Sequence, residues 1–103
     1  MEEREYFLYR HINPIKNEVF YIGIGTANLS GKTLKKKYAR AFLKSKRSKF
    51  WQRTVSKYGY EIEIIFKSKS RDEIENKEKE FINIYGRSIY GGTLTNLTAP
   101  LHT

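Results

Sequence analysis

Cysteine is absent from the 103 residues. Neither a disulfide framework nor a thiolate metal site can supplement a small core, so burial must stabilise the chain. Long apolar runs are absent too, and nothing approaches the roughly 20 residues that a membrane span requires. The N-terminal MEEREYF is acidic where a secretory signal is basic and then apolar. These absences point to a soluble, cytoplasmic protein with no membrane partner.

Acidic residues are missing from position 19 to position 60. Eleven basic residues fall in that interval: Lys32, Lys35, Lys36, Lys37, Arg40, Lys44, Lys46, Arg47, Lys49, Arg53 and Lys57. The other nine Lys and Arg face all eleven Asp and Glu, so the formal net charge of +9 belongs to one segment. A block of one sign creates a field suited to a polyanion, and a scattered solubility charge does not. A membrane-surface helix would set Leu and Trp opposite its lysines, which this segment does only in part. Nucleic acid is the favoured partner, and a solvated basic face with no partner is the plain alternative.

Other chemistries lack their motifs. Two histidines without cysteine or a helical His pair do not make a zinc site of the usual type. GIGTANLSGK has neither the P-loop spacing nor GxGxxG, and no Ser elbow or Cys/His pair is visible. RNP, KH and double-stranded-RNA signatures are missing, as are repeats and low-complexity stretches.

Aromatic residues make up 15% of the chain and hydrophobic residues 39%, enough for one compact domain at this length. EYFLYRHI and EVFYIGIG, joined by NPIKN, read as a β-hairpin. Alternation puts Phe7, Tyr9 and His11 on one face and Tyr6, Leu8, Arg10 and Ile12 on the other. TANLSGK reads as a loop. Helical spacing follows over 33–45, with Leu34, Tyr38, Ala41 and Phe42, and again in SKFWQRTVSKYG, which stops at Gly59. YEIEIIFKS alternates Ile62, Ile64 and Phe66 against Glu61, Glu63 and Lys67 as a third strand. Ser70 and Glu73 form a capping-box signature opening a last helix over 71–85. An apolar piece surrounds Leu94 to Leu97. The expected fold is α/β, a small three-stranded antiparallel sheet flanked by helices in the order β-β-α-α-β-α, with one domain over 1–98 and a short tail over 99–103.

One residue breaks the last helix's pattern. With Ile74 at 0° on a wheel of about 100° per residue, Phe81 falls at about 340°, Ile82 at about 80° and Tyr85 at about 20°. Glu78 falls at about 40°, inside the apolar stripe. A carboxylate there is costly unless paired, hydrated or bound to a metal. A salt bridge or an edge position explains it structurally. As a lone ligand it suits Mg²⁺, which commonly takes only one or two protein carboxylates.

FLY ending in Tyr9, YIG at Tyr21 to Gly23, an Arg in the next helix, a Glu in a later helix and an Asn near the C-terminus occur in that order. Together with the β-β-α-α-β-α layout they resemble the GIY-YIG endonuclease family over about residues 6–98. The resemblance implies a DNA phosphodiester hydrolase using Mg²⁺ or Mn²⁺. It assigns Tyr9 as general base, Tyr21 as a hydrogen-bonding partner of the water or phosphate, and Glu78 as the metal ligand. Arg40 in YARAF becomes the phosphate-binding arginine, with Arg47 as the alternative, and Asn96 in LTNLT orients Glu78 or its surroundings. FLY stands where members have GIY. Lys46 and its neighbours stand where many members have a helical His, and TANLSGKTLKKK lengthens the interval before Arg40. His11, on Tyr9's face, and Lys46 are auxiliary candidates. Lys35, Lys36, Lys37, Lys44, Arg47 and Lys49 are expected to contact DNA phosphates. Such a chain is expected to cut loosely, act as a dimer or rely on a partner, in a bacterial or phage-infected cell, with a phage or mobile-element origin. The competing reading is a DNA- or RNA-binding module on the same fold that cuts nothing.

Overall fold

The computed structural model describes residues 4–45, 47–85 and 94. Its elements run β1 (Tyr6–Asn13), β2 (Glu18–Thr26), α1 (Leu34–Lys37), α2 (Ala39–Phe42), α3 (Lys49–Tyr58), β3 (Glu61–Ser68) and α4 (Arg71–Tyr85). Among the described strands the sheet is antiparallel with the order β2-β1-β3, so β1 is central. This is a small α/β domain of the expected class. Among the described residues no helix is long and apolar enough to cross a membrane.

The β1–β2 turn is local chemistry. Asn13 Oδ1 accepts from the backbone N–H groups of Ile15 and Lys16 at 3.0 and 3.1 Å, an Asx turn. Asn17 takes the left-handed conformation, φ 54°, which asparagine tolerates better than most residues. A bulge between His11 and Ile12 then shifts the register so that Tyr21, and not Phe20, lies opposite His11. A one-residue slip exchanges the two faces of a strand, and this one puts Tyr21 on the face of Tyr9.

The two faces of β1 carry two cores. Phe7 and Tyr9 pack with Ala27, Tyr38 and Ala41 on one face. Leu8 and Ile22 pack with Ile74, Ile82 and Leu94 on the other, under α4. Aromatic edges organise the first core, where Phe7 meets Tyr38 at 4.9 Å in a T-shaped pair. Glycines make room for it. A Cβ on Gly25 would come within 2.7 Å of Phe7 Cζ, and one on Gly23 would overlap Cζ and Oη of Tyr9. The glycine of YIG is therefore the floor on which the ring of Tyr9 lies.

Two expectations need correction. The helix expected over 33–45 is two turns, 34–37 and 39–42, broken at Tyr38 with φ −117° and ψ 44°. Lys37's carbonyl accepts from Asn28's N–H at 2.8 Å, while Ala41's N–H turns to Tyr38's carbonyl. The TANLSGK loop thus takes an acceptor that helix continuity needed. In β3, Ile62 and Ile64 pack against the Tyr9 core, but Phe66 joins Ile65 on the other face. A bulge opposite Leu8 and Tyr9 breaks the alternation there.

The remaining helices follow their signals. Ser48 caps α3 by accepting from Trp51's N–H at 3.1 Å, and Gly59 closes it by bonding to Val55's carbonyl. Ser70 caps α4 through Glu73's N–H at 3.2 Å, while the Glu73 carboxylate takes Ser68's hydroxyl. The capping box is thus relayed through Ser68.

Substituting Gly23→Ala is expected to displace the Tyr9 ring and destabilise the fold by about 1–3 kcal/mol, as overpacking of a filled core does. Urea denaturation measures it, and an unchanged midpoint would show that the ring does not lie on Gly23.

Candidate active site

The Tyr9 face gathers Tyr9, Tyr21, His11 and the guanidinium of Arg47. Tyr9 is 1% exposed on the central strand, and Tyr21 is half-buried beside it, with ring centroids 6.1 Å apart. Arg47, between α2 and α3, folds back over both. Its Nη1 donates to the Tyr9 hydroxyl at 3.1 Å, Nη2 to Arg40's carbonyl at 2.9 Å and Nε to Leu43's carbonyl at 2.8 Å. The guanidinium carbon lies 4.9 Å from the Tyr21 ring centroid, 5.5 Å from Trp51 and 5.8 Å from Tyr9. These are cation–π distances on three aromatic faces.

At 8% exposure Arg47 is buried, so it is not the outward phosphate contact expected of it. It instead takes the position beside the tyrosines expected first of Arg40. Arg40 is exposed on α2. It supplies a carbonyl to Arg47 and a charge that favours the phenolate of Tyr9. Among the described residues the hydrogen-bond partners of Arg47 are two carbonyls and a phenol, none of them anionic. Bringing a charge into such a site without a counter-ion is expensive.

Tyr9 is held as a phenol. Burial pushes its pKa from 10.0 up to about 12, and Tyr21 adds to the shift, while Arg47 and Arg40 pull the other way and lose. The cations expected to make it a ready base are present, and desolvation outweighs them.

His11 is locked in place. Trp51 Nε1 donates to its Nδ1 at 2.9 Å, so Nε2 carries the proton and donates to Ala41's carbonyl at 2.8 Å. Tyr21, Tyr60 and Trp51 surround the ring at 5.4, 5.0 and 5.7 Å. Burial lowers its pKa to about 4, with the Arg47 charge acting in the same direction and the Ala41 bond against it. With no exposure and both nitrogens engaged, His11 positions the site and has no free nitrogen to shuttle a proton.

Glu78 lies elsewhere. It sits one turn from both Ile74 and Ile82, on the stripe that α4 turns toward Leu8 and Ile22. Burial pushes its carboxyl up to about 6, Glu75 adds to the shift, and Arg71 and Lys79 oppose it. Among the described residues the charges that bear on Glu78 belong to α4, whereas those that bear on Tyr9 come from Tyr21, Arg47 and Arg40. The structure unites Tyr9, Tyr21 and Arg47 and leaves Glu78 on the opposite face of the sheet.

A partly desolvated carboxylate is a hard oxygen donor and fits an ion that keeps most of its waters. Among the described residues no group of three or more His, Cys, Asp or Glu could hold a metal, so a site here would rest on few protein ligands. Lys35, Lys36, Lys44 and Lys49 are exposed, and Lys37 is half-buried with its Nζ 5.7 Å from the Tyr38 ring centroid. Asn96 and the side chain of Lys46 lie outside the described residues.

No family model matches this chain, and neither a curated protein nor a solved structure matches it.

The two buried titrations have opposite signs. Glu78's raised pKa means that the native state takes up a proton before the unfolded state, whose value is near 4.5, so its burial destabilises at neutral pH and is relieved as pH falls from 6 to 4.5. His11's lowered pKa means that the unfolded state protonates first, so stability falls as pH drops from 6.5 to 4. In metal-free buffer Glu78→Gln is expected to stabilise by about 1–2 kcal/mol near pH 8, a gain that vanishes toward pH 4.5. Urea denaturation at several pH values tests this. A gain independent of pH would mean that the carboxylate is not the desolvated group.

Proposed function

We propose that the chain is a metal-dependent DNA endonuclease of the GIY-YIG type, with the buried Arg47 guanidinium as its phosphate-binding group. The observation that carries this reading is Arg47 itself. A cation held between Tyr9 and Tyr21, with no anion among its described hydrogen-bond partners, is arranged to receive one. A guanidinium matches two non-bridging phosphate oxygens bidentately. The order of Tyr9, Tyr21, a basic helical segment and Glu78 supports the same class.

Hydrolysis requires a water oxygen to bond to phosphorus while the bond from phosphorus to the 3′-oxygen breaks. The attacking water loses a proton to the protein and the leaving 3′-oxygen takes one from solvent. Arg47 takes the charge that develops on the non-bridging oxygens. Tyr21, stacked under the guanidinium and half-exposed, orients the water by its hydroxyl. Tyr9 receives the proton. With a pKa of about 12, only about 10⁻⁵ of it is phenolate at neutral pH, so the reaction is slow there and rises with pH. Glu78 would hold Mg²⁺ or Mn²⁺, which supplies Lewis-acid stabilisation to a phosphate oxygen or the leaving group. Lys35, Lys36, Lys44 and Lys49 contribute phosphate contacts, and affinity falls steeply with salt.

One observation favours a second reading. Tyr9 and Glu78 belong to opposite faces, and a module that binds DNA without cutting it needs no convergence of the two.

Nicking of supercoiled plasmid by the purified chain separates the readings. The endonuclease reading predicts cleavage with Mg²⁺ or Mn²⁺ and none with EDTA. It predicts loss of cleavage in Tyr9→Phe and Glu78→Ala variants that stay folded by circular dichroism, and a rate that climbs through pH 9. A folded wild type that binds DNA and never nicks it would establish the binding module.

A further inference from the structure

The break at Tyr38 leaves a second feature beside the tyrosine site. α1, α2 and residues 43–45 border a cleft of about 830 Å³, a size that takes a small organic ligand. Its lining combines two chemistries. Lys35, Lys36 and Lys44 are exposed cations, and Ala39, Phe42 and Leu43 are apolar, the last two half-buried. Among the described residues no acidic one lines it. The cleft also abuts the site, because Leu43 faces it while its carbonyl holds Arg47 Nε.

An aromatic and an aliphatic surface ringed by three lysines is not what a uniform duplex requires, since its paired bases are stacked on one another and offer edges and phosphates but no free face. It is what an unstacked base with its flanking phosphates requires, a planar apolar face and cations on either side. We propose that this cleft binds an unpaired nucleotide of the DNA, with the base against Phe42 and Leu43 and the neighbouring phosphates on Lys35, Lys36 and Lys44. The inference rests on the nucleic-acid reading and sharpens its substrate class: DNA carrying a bulge, flap or loop is bound in preference to continuous duplex.

The test uses the full chain in EDTA, so that binding is read without cleavage. Fluorescence anisotropy compares a duplex, the same duplex with a one-nucleotide bulge and the corresponding single strand, and vesicles containing phosphatidylserine are titrated in parallel. The proposal expects the bulged duplex to bind about tenfold more tightly than the uniform one, in line with stacking of one base on an aromatic side chain. It expects Phe42→Leu, which keeps apolar volume and removes the ring, and Leu43→Ala each to reduce that ratio at least threefold. Equal affinity for bulged and uniform duplex, or a preference that survives both substitutions in folded protein, overturns the cleft's role and leaves the nucleic-acid reading standing. Binding to none of the oligonucleotides overturns both, and stronger binding to the vesicles than to any DNA assigns the cleft to an anionic lipid surface.

Discussion

A buried guanidinium organises one half of this molecule. Arg47 gives one N–H from each of its three nitrogens to Leu43's carbonyl, Tyr9's hydroxyl and Arg40's carbonyl, and lays its flat face against Tyr21 and Trp51. Leu43's carbonyl lies just past the broken helix, and Arg40's, inside α2, is shared with the Leu43 N–H. One side chain therefore secures the irregular stretch between α2 and α3 and fixes the rings beneath it. Trp51 then reaches His11, and His11 reaches Ala41, so helices, loop and central strand close on one another through polar bonds inside an aromatic core. Arg47 lacks an anion among its described partners, and a buried cation in that state costs stability. A group that costs stability and yet organises a site is a mark of function.

The other half depends on the sheet's register. Two bulges, one in β2 and one in β3, decide which side chains reach which face. The first puts Tyr21 with Tyr9, and the second divides Ile64 from Phe66 between the two cores. Glycine at position 23 lets the Tyr9 ring lie flat on the neighbouring strand. Glu78, on the far face, is a second residue whose burial opposes folding, and its proton affinity has risen accordingly.

Much of this was legible from residue patterns. Periodicity placed three strands, the third helix and the two faces of β1, because each depends on local repeats of two or 3.6 residues. Glu78 stood out because a carboxylate within an apolar stripe is anomalous wherever it occurs. What could not be read depended on contacts between distant segments. The broken helix follows from Asn28's claim on Lys37's carbonyl, and nothing within 33–45 announces it. Arg40 lies inside the helix that the spacing over 33–45 predicts and Arg47 outside it, and once that helix stops at Phe42 the chain is free to turn Arg47 back onto Tyr9. The bulges are likewise long-range events, which is why Phe66 was assigned to the wrong face. His11 looked available to the chemistry because its partner Trp51 lies 40 residues away.

The account stands or falls on whether Tyr9 and Arg47 act together on a phosphate. Groups that work as a unit lose nearly everything when either is removed, so a second removal changes little. Single-turnover cleavage by Tyr9→Phe, Arg47→Lys and the double variant measures this directly. The account predicts that the double variant is no slower than the worse single one, within about threefold. Losses that multiply would show two independent groups and contradict it.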